Sequence, residues 1–208
     1  MSPSSPSRVP PPPPVHSPLG HLRAAGVFLV LALLLAGVIY PLVVTGIAQV
    51  INPSGANGSL LYYPNGTLAG SKLVAQNTDE PYLFWERPSA TDYNTTNGTV
   101  TPPGPSDPML AAWLNETLSY MRLYGNYTVN ASLPFWFAAP SASDIDPDLT
   151  PEAVLVQVPR VSEHTNLSLG ELTGLVNAHI TEPVFPMIGV PYVNVLELDL
   201  ALLPMIGR

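Results

Sequence analysis

The chain has 208 residues, 46% of them hydrophobic and only 11% charged, with a formal net charge of −8 and no cysteine. That excludes a disulfide framework, thiolate catalysis and a cysteine-based zinc site. All fifteen carboxylates lie after Ile51 against five basic residues there, so that part carries 5 − 15 = −10 and repels nucleic acid. So low a charge density beside so many Ser, Thr and Asn fits an acidic exterior, in which carboxylates are partly protonated.

Residues 1–21 contain the unbroken run Pro10 to Pro14, which favours extended polyproline geometry and cannot build a core. A disordered tail is expected there. From Ala24 to Ile51 there is no charged residue, and an apolar run of this length is enough to cross a bilayer. Residues 22–51 are therefore expected to form one transmembrane helix, kinked or interrupted at Pro41. Arg8 and Arg23 precede it and the next basic residue is Lys72, which places the N-terminus in the cytoplasm and residues 52–208 outside. The apolar run is longer than a signal-peptide core and no Ala-x-Ala site follows it. Beyond the span lie eight Asn-x-Ser/Thr sequons, at Asn57, Asn65, Asn94, Asn97, Asn115, Asn126, Asn130 and Asn166. They are candidate glycosylation sites, although several also read as Asn-Gly turns.

The segment 52–107 reads as short strands and ordered loops, with apolar runs at 59–63 and 82–85. Asp107 and Pro108 open a helix that Gly125 can end. Residues 126–143 read as extended or loop, with Leu133 to Phe137 buried. Thr150-Pro-Glu152 opens a second helix to about Glu163, disturbed at Pro159, and Ser168-Leu-Gly-Glu171 is a capping-box pattern opening a third. The alternating pattern of Val193-Asn-Val-Leu-Glu-Leu-Asp-Leu200 predicts a half-buried strand. The fold class expected is α+β: one N-terminal transmembrane helix followed by a single extracytoplasmic α+β domain.

Catalytic signatures are missing. There is no nucleophile elbow and no phosphate loop, and His164 and His179 are isolated residues expected on a helix surface or end. Asp144, Asp146, Asp148 and Glu152 alternate like the start of a calcium loop, but Leu149 and Leu155 stand where its glycine and glutamate belong. A cluster placed beside a helix start is the expectation, with no metal site and no catalytic residue in this chain.

An ordered set of motifs then stands out. They are Tyr40-Pro-Leu-Val-Val-Thr-Gly-Ile-Ala-Gln49, Ala56-Asn-Gly-Ser59, Gly70-Ser-Lys-Leu-Val-Ala-Gln76 and Phe84-Trp-Glu-Arg-Pro-Ser-Ala-Thr-Asp-Tyr-Asn94. Gly104-Pro-Ser-Asp-Pro108, Asp146-Pro-Asp-Leu-Thr-Pro-Glu-Ala153, Gln157-Val-Pro-Arg-Val161 and Val193 to Ala201 follow. With them the chain resembles the KdpC family, the C subunits of Kdp potassium-transporting P-type ATPases. It departs from that pattern at Ala139 to Asp144 and at Asp148, where a His is usual, and the proline-rich tail and the sequons are additions.

The resemblance implies a non-catalytic accessory subunit of a high-affinity potassium uptake pump. A potassium-channel-like subunit and a separate P-type ATPase subunit would be its partners in the membrane. The phosphorylated aspartate would lie on the ATPase chain; no Asp-Lys-Thr-Gly-Thr motif occurs here. ATP would be bound by the complex and K+ transported by it. The family's influence on ATP affinity would reach the cytoplasm through the partners. Trp85, Arg87, Tyr93 and Asn94 become candidates for a subunit interface, or for a structural turn in which Arg87 pins loop carbonyls under Trp85. Gly46 would permit close helix approach. The alternative is a stand-alone, membrane-anchored, glycosylated surface binding module.

Overall fold

The computed structural model describes residues 18–96, 103–104, 106–125, 134–183 and 188–208. Most of the proline-rich tail, Leu133 and the sequons at Asn97, Asn126 and Asn130 lie outside the described residues. The chain divides into two compact units, Met1–Ala56 and Asn57–Arg208.

In the first unit an apolar helix runs from Leu19 to Ile51, 33 residues or about 50 Å at 1.5 Å per residue. It comprises α1 (Pro18–Leu34), a π-helical turn (Leu35–Ile39) and α2 (Tyr40–Ile51). Pro41 neither ends it nor leaves it regular. Proline cannot donate to the preceding turn and its ring crowds the carbonyl four residues back. The turn before it is wide, with the Tyr40 N–H reaching the Leu35 carbonyl. Side chains such as Phe28, Leu42 and Val50 stand exposed along the helix, a surface suited to lipid. Asn52 accepts from the Gly55 N–H at 3.0 Å, within the short helical turn α3 (Pro53–Ala56).

The second unit opens with a hairpin of β1 (Leu60–Tyr62) and β2 (Leu68–Ser71), paired antiparallel with Leu60 opposite Ser71. Asn65 accepts from the Thr67 N–H at 2.9 Å and Gly66 takes φ +81°, so the Asn-Gly pair makes the turn. Residues 82–85 form no strand; their backbone is held by side chains instead. Then come α4 (Pro108–Gly125), with Asp107 accepting from the Met109 N–H at 2.9 Å, and α5 (Phe135–Ala138). The second of these replaces the loop expected there, and Phe137 is buried as expected.

β3 (Asp148–Leu149) pairs antiparallel with β4 (Val193–Asn194). Between them lie α6 (Pro151–Leu155), α7 (Val158–Thr165) and α8 (Leu169–Ala178). The second helix of the sequence reading is thus two helices. The break falls at 156–157 and Pro159 sits harmlessly in the first turn of α7. Both halves of the capping box form at Ser168 and Glu171.

The strand expected over Val193–Leu200 is a correction. Only Val193–Asn194 is extended; α9 (Val195–Leu202) follows at once, capped by Asn194 accepting from the Glu197 N–H at 3.2 Å. Val195, Leu198 and Leu202 fall at helical spacing, on opposite faces of any strand, and the Asn cap with good helix formers beyond it settles the outcome. The core gathers Phe84, Phe137, Val154, Val161, Leu172, Val176, Val193, Val195, Leu198 and Leu202, all essentially inaccessible. The fold is α+β.

Candidate functional site

The segment 80–94 crosses this core without secondary structure, so its backbone groups need partners elsewhere. Gln157, fully buried at the α6–α7 break, supplies two of them. Its Oε1 accepts from the Trp85 N–H at 2.7 Å and its Nε2 donates to the Trp85 carbonyl at 2.9 Å. Arg160, one turn on, donates to the carbonyls of Pro81 (2.6 Å) and Leu83 (2.8 Å) and to Gln157 Oε1 (2.8 Å). Its guanidinium lies 4.0 Å from the Trp85 ring centroid, a cation–π contact. Asp199 of α9 accepts from the Phe84 N–H at 2.9 Å. Burial pushes this carboxyl well above the ordinary range.

Further along, Arg87 donates from Nε to the Ala139 carbonyl (3.0 Å) and from Nη2 to that of Pro140 (2.9 Å), and pairs with Asp146 at 3.3 Å. The expectation that Arg87 pins loop carbonyls is met; the cation against Trp85, however, is Arg160. Tyr93 donates to the Arg87 carbonyl at 2.9 Å, and both Asp92 and Tyr93 take positive φ. Asn94 is exposed and accepts from Thr96 in a local turn.

Asp144 fastens this turn. One oxygen accepts from the Ala90 N–H at 2.7 Å; the other accepts from the Thr91 N–H and the Ser89 and Thr91 hydroxyls at 2.6–2.7 Å. Burial opposes its ionisation, but these bonds outweigh it and hold the carboxyl below its ordinary range. The acidic run is therefore not a helix-start cluster. Asp144 serves the 89–91 turn, Asp146 serves Arg87, and Asp148 accepts from Asn194 Nδ2 at 2.9 Å. Only Glu152 lies in a first helical turn, that of α6. Among the described residues no group of three His, Asp or Glu is placed to hold a metal.

Outside this framework lies a cleft of ≈ 460 Å³ between 77–93 and α4, walled by Trp85, Glu86, Tyr93, Trp113 and Tyr120. Gly46 of α2 is open, and a Cβ built there meets nothing within 4 Å. Asn57, Asn65, Asn115 and Asn166 are exposed. His164 and His179 each contact the carbonyl four residues back, on α7 and at the end of α8. Gln157, Arg160 and Asp199 carried no role in the sequence reading, and Asp144 only that of a member of a helix-start cluster. Their one signal was the presence of polar residues inside otherwise apolar, structured runs.

The arrangement is that of a small membrane-anchored domain in which a polar framework stiffens one surface loop. The family model described as "KdpC: K+-transporting ATPase, c chain" matches residues 22–203. A protein of Geobacter sulfurreducens named potassium-transporting ATPase KdpC subunit is 39% identical over 184 residues, 87% of this chain and 96% of its own. One of Methanosphaerula palustris with the same name is 40% identical over 181 residues, 87% of this chain and 95% of its own. The chain belongs to the KdpC family.

Proposed function

We propose that this chain is the accessory subunit of a high-affinity, ATP-driven potassium uptake pump, anchored by its apolar helix with the Asn57–Arg208 unit outside the cell. It stabilises the complex and supports the coupling of ATP hydrolysis to K+ import. The chemistry resides on a P-type ATPase subunit, which binds ATP, and K+ passes through a channel-like subunit. The observation that carries this reading is the match over residues 22–203, which takes in the apolar helix and the framework of the surface loop together. The loop bearing Arg87, Tyr93 and Asn94 is the proposed contact with the channel-like subunit, and Trp85 shapes it from beneath. Gly46 is the proposed helix contact.

The test is to express the two partner subunits with and without this chain. With it, an intact complex with K+-stimulated ATPase activity is recovered. Equal recovery and equal activity without it would overturn the proposal.

A further inference from the structure

Behind Glu86 lies a second, more enclosed cavity of ≈ 90 Å³. Its polar walls are Tyr63, Gln76, Asn77, Thr78, Glu86 and Asp199, and leucines complete it. The two carboxyl side chains belong to the interior: Glu86 is 6% exposed and Asp199 5%. Each uses one oxygen on a backbone amide, Glu86 Oε2 accepting from the Gln76 N–H and Asp199 Oδ1 from the Phe84 N–H. Among the described residues no donor reaches the other oxygen of either. Half-buried Gln76 also lines this space, and its Nε2 is buried and unpartnered. It packs so closely on β2 that a Cβ at Gly70 would lie 1.7 Å from that nitrogen. The two ends of an amide are distinguished only by their bonds, and turning this one over presents Oε1 instead.

Charge makes the cavity unusual. Arg160 is the attracting charge on Asp199, whereas Asp199, Asp146 and Asp148 all act on Glu86 as like charges. The Tyr93 phenol beside Glu86 adds no positive charge. Arg87 is engaged by Asp146 and Lys72 by Glu197, at 3.3 Å each. Asp199 thus has a guanidinium to offset it and Glu86 has none, leaving one negative charge to be neutralised within a space that admits a small ion or water. A divalent ion would exceed that charge and would demand more carboxylates than are here.

We propose that this cavity is a binding site for one monovalent metal cation, held by the free oxygens of Glu86 and Asp199 and by Gln76 Oε1, which enters in exchange for one proton. The exchange balances: a neutral carboxyl group releases H+ and its carboxylate receives M+. The site lies wholly within the Asn57–Arg208 unit and does not depend on how the chain assembles.

The experiment uses the full chain in detergent. Its unfolding midpoint is measured in KCl, in NaCl and in N-methyl-D-glucamine chloride at equal ionic strength. At about pH 8, raising K+ or Na+ about a hundredfold past half-saturation lifts the midpoint by several degrees, and about one proton is released per ion bound. At about pH 4.5 the proton wins and the three salts give the same midpoint. Glu86→Gln and Gln76→Leu lose the response to the metal salts. Equal midpoints in all three chlorides at about pH 8 would overturn the proposal and leave the cavity to water and a proton. That comparison uses the unaltered chain and stands even where a variant does not fold.

Discussion

A glutamine at position 157 does here what a neighbouring strand does elsewhere: its amide both accepts from and donates to the Trp85 backbone. Gln157→Leu keeps the volume and abandons both backbone groups in a site without water. An unsatisfied buried group costs about 1–3 kcal/mol, so a loss of about 2–5 kcal/mol is expected, measured by denaturant unfolding. Gln157→Glu, which can only accept when ionised, should recover little. Glu86 makes a prediction of the opposite kind. Burial raises its carboxyl to about 9, with Asp199, Asp146 and Asp148 adding to the effect and the Gln76 N–H opposing it. The unfolded chain gives up that proton near the ordinary carboxylate value of 4.5, the folded chain only near 9. Across that window unfolding releases a proton, so stability falls as pH rises and is undiminished by this group below it. Glu86→Gln should flatten the dependence, gaining on the parent progressively from about pH 4.5 to pH 9 when both are unfolded in N-methyl-D-glucamine chloride. A pH profile parallel to the parent's would refute it.

Among elements, the junction of β4 and α9 shows what a sequence pattern leaves undecided. The run from Val193 follows a two-residue period only in part, slipping at the adjacent Val195 and Leu196, while its apolar residues at 195, 198 and 202 satisfy a helical one. Asn194 resolves the ambiguity by bonding three ways: to the Glu197 N–H as a cap, to the Lys72 carbonyl at 2.9 Å and to Asp148 at 2.9 Å. Asn194→Ala removes a cap worth about 1 kcal/mol and strands a part-buried carbonyl, for about 2–3 kcal/mol in all by thermal or urea unfolding. Asn194→Asp retains the cap but sets a second carboxylate against Asp148, and should be no better. The elements that were legible beforehand have their signals inside themselves. Asp107 with Pro108 opens α4, Ser168 with Glu171 boxes α8, and the uncharged run from Ala24 makes the long helix. What was not legible depended on distant partners. Nothing near Trp85 announces that Gln157 and Arg160 will bind it, and nothing near Asp144 announces the turn at 89–91. The acidic run therefore looked like one cluster, when its members serve three separate places.

At the scale of the whole molecule, direction in the membrane decides which function is physically open to the Asn57–Arg208 unit. A domain inside the cell would meet ATP directly; one outside can influence ATP use only through its partners, since coupling needs a shared two-state element and not a shared ligand. The basic residues favour the second, with Arg8 and Arg23 before the span and none after it until Lys72. Two arginines are a small count, and the −10 carried after Ile51 adds little, because orientation follows Lys and Arg far more than Asp and Glu. The chain offers a clean measurement because it contains no cysteine. Asn115→Cys, on an exposed position of α4, and Asn166→Cys, at the left-handed end of α7, should each react with a membrane-impermeant maleimide on intact cells. Ser7→Cys, ahead of the helix, should react only after permeabilisation. The reversed pattern would put the domain in the cytoplasm, remove the sequons from any glycosylating compartment and make direct contact with ATP the simpler coupling.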